Sequence, residues 1–114
     1  MNPSKKTPKV SVCVITYNQE KYIRQCLQSI LDQETDFDFE VIVGDDCSTD
    51  GTRAIVQELA RKYPTIVNPI FQEKNIDAGN YNYLTVHRQA RGDYVAHIDG
   101  DDYALPGKLQ SVKI

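Results

Sequence analysis

The sequence lacks the features that mark several large classes of protein. Its 114 residues contain no apolar run close to the roughly 20 residues that a membrane-spanning helix needs. The polar, lysine-bearing segment at residues 1–9 is not followed by the apolar stretch of a signal peptide. Cysteine is scarce: there are three, an odd number without a Cys-x-x-Cys pair, which favours reduced thiols over a disulfide framework or a zinc site. We therefore expect a soluble cytoplasmic domain.

The sequence also lacks an excess of basic charge and three well-known ligand motifs. Lysine and arginine total 13 against 16 acidic residues, and the net charge of −3 argues against nucleic acid as a partner. There is no G-x-x-x-x-G-K-[ST] loop, and no G-x-G-x-x-G follows the first predicted strand. Asp46-x-Ser48-x-Asp50-Gly51 matches the first half of an EF-hand loop, but the twelfth position is Gln57 rather than glutamate. Calcium binding of that type is therefore disfavoured.

What is present fits one globular domain, with 40% hydrophobic and 25% charged residues. Runs rich in valine and isoleucine predict strands at 9–16, 39–43, 66–71 and 94–98. Apolar residues at helical spacing predict helices at 22–31, 54–60 and 83–90, and Pro106 suits the first turn of a last helix. Pro69 places the third strand at a sheet edge because proline cannot donate to a ladder. The alternation predicts an α/β fold: an open, mostly parallel sheet with helices on both faces.

Polar side chains follow three of the predicted strands at the point where each strand ends. These residues are Thr16, Tyr17 and Asn18, then Asp45 and Asp46, then Asp99, Asp101 and Asp102. Ligands of open parallel sheets bind beyond the carboxyl ends of the strands. Several carboxylates on one rim repel one another unless a cation intervenes, and carboxylate oxygen is the preferred ligand of hard divalent ions. The pattern predicts a ligand site that includes Mn²⁺ or Mg²⁺.

Each polar cluster also has a purely structural interpretation. Aspartate after a strand is often a turn residue or a helix cap, which is the interpretation we favour for Asp50. Asp45 and Asp46 suit either a turn or ligand contact. For Asp99 and Asp101 we favour metal binding, because residues two apart on an extended segment point the same way. Asn75, Asp77, Gly79 and Asn80 suit a turn that could also edge the pocket. His87, His97 and the Lys5–Lys6 pair are interpreted as structural or solvated.

Three segments together resemble family 2 glycosyltransferases. They are V-S-V-C-V-I-T-Y-N-Q-E-K-Y-I at 10–23, E-V-I-V-G-D-D-C-S-T-D-G-T at 40–52 and G-D-Y-V-A-H-I-D-G-D-D-Y at 92–103, the last resembling the D-x-D region. The resemblance implies the GT-A fold, with residues 10–114 as its nucleotide-sugar-binding part behind a tail at 1–9. It also implies a UDP-sugar as the favoured donor, and a glycan, lipid or protein as acceptor.

Carried over by position, the resemblance implies a role for each rim residue. Thr16, Tyr17 and Asp46, together with Asp45, would contact the base and ribose, and Asn18 belongs to the same nucleotide-binding set. Asp99 would contact the ribose or a metal-bound water. Asp101, helped by Asp102, would hold Mn²⁺ or Mg²⁺ on the diphosphate. Many members carry an arginine after the N-x-G-like loop, but this sequence reads Asn80-Tyr81-Asn82-Tyr83 there, so no residue is assigned to clamp the base.

Length and the open sheet add further expectations. The sequence continues for about a dozen residues after Asp102, whereas the family's acceptor site and catalytic base lie well beyond that point. We therefore expect a truncated domain with little or no activity alone, found in the cytoplasm or held at the inner membrane surface by other regions or partners. Apolar surface left open would favour a homo-oligomer. Two alternatives remain: a non-catalytic nucleotide- or metal-binding module, and, less favoured, a nucleotidyltransferase.

Overall fold

The computed structural model describes residues 7–111; the Lys5–Lys6 pair and residues 112–114 lie outside the described residues. Within residues 7–111, four strands and three helices alternate, with a short 3₁₀ turn at Asp77–Gly79. The strands are β1 (Val10–Thr16), β2 (Phe39–Asp45), β3 (Val67–Phe71) and β4 (Tyr94–Asp99). The helices are α1 (Ile23–Leu31), α2 (Thr52–Lys62) and α3 (Asn80–Arg88). Within residues 7–111, no helix has the length and apolar character needed to cross a membrane.

The strands form one parallel sheet in the order β3-β2-β1-β4, which confirms the predicted open α/β sheet. Pro69 lies on β3, at the sheet edge where a missing N–H costs no ladder bond. After β3 the chain crosses back to add β4 on the other side of β1, so the strand order reverses between β1 and β4. The β4 edge leaves Tyr94 and Val95 exposed.

Helices cover both faces of the sheet, as predicted. On one face, α1 and α2 pack against alternate β1 and β2 residues in a single apolar core. Its buried members on β1 and β2 are Val10, Val12, Val14, Val41 and Val43, and Val67 of β3 and Ile98 of β4 complete it. On the other face, Val86 of α3 packs against Cys13 and Ile42. The alternation arises because successive strand side chains point to opposite faces.

A buried polar network fixes β4 beside β1 at the end of the sheet opposite the strand carboxyl termini. The Glu40 carboxylate, 2% exposed, accepts hydrogen bonds from Ser11 Oγ at 2.6 Å and Arg91 Nε at 3.1 Å. The backbone N–H of Gly92 donates to Ser11 Oγ at 2.8 Å. These bonds anchor the start of β4 and so determine where its far end, which contains Asp99, lies.

Two helix predictions differ from the structure beyond a small shift of their ends. Helix α3 begins at Asn80, three residues before the predicted start, because Asp77, Ala78 and Gly79 all adopt positive φ and reverse the chain directly before it. The helix expected from Pro106 is absent from the described part of the chain, where residues 106–111 form turns. Gly107 has a φ of 86°, which ends any helix that Pro106 could begin.

Candidate functional site

A cavity of about 450 Å³ lies at the carboxyl ends of β1, β2 and β4. It occupies the point where the strand order reverses, which is where open parallel sheets bind ligands. The lining residues come from the strand ends, the loops that follow them and the start of α3. They are Ile15, Thr16, Tyr17, Gln19, Asp46, Asn75, Ala78, Gly79, Asn82, Asp99 and Asp101.

Asp46 presents an unusual carboxylate to this cavity. Its side chain is 5% exposed, and its Oδ2 accepts a hydrogen bond from Asn75 Nδ2 at 2.8 Å. Within residues 7–111, its Oδ1 is the one buried side-chain oxygen or nitrogen without a hydrogen-bond partner. Burial, and then the nearby Asp45 carboxylate, raise the pKa of Asp46. Such an unsatisfied acceptor is costly, so a donor from a bound ligand would stabilise it.

We expect Asp46→Asn to raise the free energy of unfolding of the ligand-free protein by roughly 0.5–2 kcal/mol at neutral pH. The amide keeps an oxygen for Asn75 but removes the charge that burial and Asp45 disfavour. The gain exists only where Asp46 is ionised, so it is full at neutral pH and disappears as the pH falls towards about 4. Urea denaturation at both pH values measures it.

Asp38→Asn is the matched control for this prediction, because Asp38 is exposed and precedes β2 at the opposite end of the strand. It should change stability equally little at both pH values. A gain for Asp46→Asn that persists unchanged at pH 4, or a loss of stability at neutral pH, would contradict the account of a penalised carboxylate.

The structure does not bring Asp45 and Asn18 into the cavity lining. Asp45 is fully buried, and its carboxylate accepts hydrogen bonds from the hydroxyl and the backbone N–H of Ser48 within the turn after β2. Asn18 Oδ1 accepts the backbone N–H of Thr49 at 2.8 Å. Both side chains therefore shape the loops around the cavity. Asp50 Oδ1 accepts the backbone N–H of Thr52, the first residue of α2, at 2.9 Å, whereas Gly51 rather than Asp50 occupies the N-cap position.

The acidic segment at the end of β4 also contains both residues that line the cavity and one that does not. Asp99 and Asp101 both line the cavity, although β4 ends at Asp99 and residues 100–101 form a turn in place of the expected extended segment. Asp102 is exposed outside the lining, and its Oδ1 accepts the backbone N–H of Tyr103 at 2.8 Å. Gly100 is required here because a Cβ would collide with Gln19 and Thr16. The glycine thus lets the β1 and β4 loops approach each other, which keeps both aspartates beside the end of β1.

The carboxylates that line the cavity could bind a divalent ion that is also bound by a phosphate group of a ligand. Within residues 7–111, no three His, Cys, Asp or Glu side chains are grouped to hold a metal by themselves. Mg²⁺ in nucleotide sites, however, needs only one or two carboxylates plus phosphate oxygens, and Asp99 and Asp101 supply two. The lining residues in the described part of the chain include no lysine or arginine. A bound diphosphate would therefore depend on a cation for charge neutralisation.

Four lining residues were missed by sequence reasoning: Ile15, Gln19, Ala78 and Asn82. The Gln19 side-chain oxygen accepts the Thr16 hydroxyl at 2.8 Å, which turns Gln19 towards the cavity. Asn82, 2% exposed, donates from Nδ2 to the Gly44 carbonyl at 3.0 Å. Ala78 enters the lining through the positive-φ turn before α3. Asn82 carried a usable signal, because it is a polar residue on the face of α3 that Val86 buries.

The arrangement is matched by known proteins across nearly its whole length. The family model described as glycosyl transferase family 2 matches residues 11–112. The chain belongs to this family. An uncharacterised protein of Mycobacterium tuberculosis is 45% identical over 94 residues, which are 82% of this chain and 27% of that protein. Chondroitin synthase of Escherichia coli is 37% identical over 106 residues, 93% of this chain and 15% of the synthase.

Solved glycosyltransferase structures share the fold as well as the sequence. TarS of S. aureus, in complex with UDP-GlcNAc, is 39% identical with a TM-score of 0.77, over 90% of this chain and 29% of that one. The mannosyltransferase PcManGT of Pyrobaculum calidifontis, in complex with GDP-Man and Mn²⁺, is 29% identical with a TM-score of 0.77. That match covers 92% of this chain and 31% of PcManGT. The chain thus spans less than a third of the length of these relatives.

Proposed function

We propose that this domain binds a nucleotide-diphosphate sugar in the cavity, together with Mn²⁺ or Mg²⁺, and that the protein of which it forms part transfers the sugar to a glycan, lipid or protein acceptor. One observation carries the proposal. A single cavity at the strand-reversal point holds a buried, unpartnered Asp46 carboxylate oxygen and, from the end of β4, the Asp99 and Asp101 carboxylates. The Asp46 oxygen suits a neutral hydrogen-bond donor of the ligand. The Asp99 and Asp101 carboxylates suit a cation bound to a diphosphate.

The base and ribose are assigned to the β1 and β2 side of the cavity. Tyr17 lines it with 46% of its surface exposed, so its ring is free to stack on a base. Asp46 accepts a ring N–H of the base, and Thr16 lies beside it in the lining. Uracil and guanine both carry such a ring N–H, which fits the UDP-GlcNAc and GDP-Man complexes of TarS and PcManGT. We favour uracil, the smaller ring, for this cavity.

The diphosphate is assigned to the β4 side. Asp101 holds the divalent ion there, and Asp99 contacts the ribose or a water on the ion, with exposed Asp102 helping if its turn opens. A bound Mn²⁺ or Mg²⁺ offsets the charge that builds on the departing nucleoside diphosphate. We assign no catalytic base among the described residues. The proposal for this chain is therefore donor binding, and sugar transfer is proposed for the whole protein.

Thermal unfolding tests this proposal with UDP alone, Mn²⁺ alone and both together. Ligand at 100 times its Kd adds about 2.7 kcal/mol to the free energy of unfolding. That should raise the Tm of a domain of this size by about 10 °C. We expect a shift of this order only when both are present. Equal Tm values under all conditions, with GDP as well as UDP, would contradict the proposal.

A comparison of nucleotides tests the assignment of Asp46 separately. Cytosine and adenine have a ring acceptor where uracil and guanine have the N–H, so CDP and ADP should give much smaller Tm shifts than UDP or GDP with Mn²⁺. Equal shifts for all four nucleotides would leave diphosphate binding in place but would exclude base recognition by Asp46.

We further propose a cytoplasmic location, which the state of the cysteines supports. Cys13, Cys26 and Cys47 are all free thiols. Burial raises the pKa of Cys13 to about 11 and that of Cys26 to about 12. These two thiols therefore stay protonated and behave as small apolar core residues.

A further inference from the structure

His97 contacts the Asp99 carboxylate without lining the cavity itself. Its Nε2 lies 2.9 Å from Asp99 Oδ1, and the two residues are two positions apart on β4. A carboxylate oxygen accepts at this distance, so the ring proton is on Nε2 and His97 donates. The donor-binding assignment above uses Asp99 but gives His97 no role.

A stack of three rings fixes the orientation of His97. The Tyr83 and His87 rings, one turn apart on α3, stack with centroids 4.0 Å apart. The His87 and His97 rings stack in turn at 5.3 Å with 18° between their planes. His87 Nδ1 also lies 2.9 Å from the Tyr83 carbonyl, which holds the His87 ring in place. The imidazole that contacts Asp99 is therefore held by α3, and α3 also supplies Gly79 and Asn82 to the cavity.

We propose that His97 is a positioning residue that orients the Asp99 carboxylate for the nucleotide and its metal ion. The Asp99 side chain is 62% exposed, so without a partner it would sample several rotamers. The His97 bond engages Oδ1 and leaves Oδ2 for the ligand. Binding then costs less side-chain entropy, because one rotamer is selected before the ligand arrives. The inference rests on the proposed nucleotide site.

The test compares three variants by calorimetric titration of UDP in the presence of Mn²⁺. His97→Phe keeps a ring in the stack but loses the donor, and should raise the Kd by roughly three- to tenfold, the effect of one hydrogen bond. His97→Gln retains an N–H of similar reach and should recover most of that loss. His87→Phe is the matched control: it changes the neighbouring ring without touching Asp99, and should bind as wild type does.

Nitrogen NMR of the ligand-free protein tests the bond between His97 and Asp99 directly. The histidine ¹⁵N signals of the free protein should show His97 protonated on Nε2, and this signature should shift in Asp99→Asn. A ring protonated on Nδ1 alone would overturn the proposal, and this holds even if His97→Phe fails to fold.

The titration separates the two hypotheses. Equal Kd values for His97→Phe and wild type, or no recovery with His97→Gln, would overturn the positioning role and leave the nucleotide site intact. Absence of UDP binding by the wild-type protein would overturn both the site and the role of His97.

Discussion

Replacing Asp101 with asparagine is expected to raise the Kd for UDP by about 100-fold when Mn²⁺ is present. Asp101 lies at the end of β4 in a cavity whose described lining contains no basic side chain. Under the proposed function, the charge of a diphosphate there is offset by the ion, and Asp101 holds that ion. Loss of a hydrogen-bond partner behind a metal ligand typically costs 10–100-fold in metal affinity. Loss of charge on a direct ligand should cost at least the upper end of that range.

Asp93→Asn is the matched control, since Asp93 is exposed and precedes β4 at the opposite end of the same strand. It changes the net charge by the same amount and should leave the Kd unchanged. In EDTA, Asp101→Asn should bind UDP no more weakly than wild type, because the ion is then missing from both and the mutation removes a carboxylate that repels the diphosphate. Weaker binding by Asp101→Asn in EDTA, or equal binding in Mn²⁺, would show that Asp101 does not act through an ion.

Gly44→Ala is expected to lower the free energy of unfolding by about 3 kcal/mol. A Cβ at this position would collide with Val86 and would lie 2.5 Å from Asn82 Oδ1, both in α3. Close packing leaves neither atom room to retreat, so α3 must move away from β2. Asn82 would then lose its bond to the Gly44 carbonyl. Because Asn82 and Gly79 line the cavity, the folded fraction should also bind UDP more weakly.

The matched control for this prediction is Gly107→Ala. Gly107 has positive φ but open space around the position of a Cβ. Alanine there should cost roughly 1–2 kcal/mol, the backbone penalty alone, and should leave UDP binding unchanged. Urea denaturation of both variants measures the difference. If Gly44→Ala were no less stable than Gly107→Ala, the close contact of α3 with the sheet would be wrong.

The sequence predicted which residues lie at the carboxyl ends of the strands but not which of them face the cavity. Asp45 and Asp46 are neighbours at the end of β2, yet the Asp45 carboxylate bonds to Ser48 while that of Asp46 faces the cavity. Neighbouring residues point in opposite directions on an extended chain, so one of the two had to point away from the ligand. Which one depends on where β2 ends, and its end at Asp45 lies two residues beyond the prediction.

The residues that sequence reasoning missed have other causes. Asn82 is a polar residue on the buried face of α3, but the sequence does not show that this face meets Gly44, 38 residues away. Gln19 is turned towards the cavity by its bond with Thr16. Ala78 enters through a left-handed backbone conformation that alanine seldom adopts. The strand order that creates the cavity could not be predicted either. Alternating strands and helices predict a parallel sheet, but they do not determine which strands are neighbours.

The central claim is that one cavity binds a nucleoside diphosphate together with a divalent ion held by Asp101. Paramagnetic broadening of backbone amide NMR signals by Mn²⁺ tests it most directly, with and without UDP, and with Mg²⁺ as the diamagnetic reference. The account predicts strong broadening of residues 99–102 and of Thr16 and Tyr17 only when UDP is present, and no such effect in Asp101→Asn. Broadening that is independent of UDP, or that centres on exposed carboxylates away from the cavity such as Asp38 before β2, would contradict it.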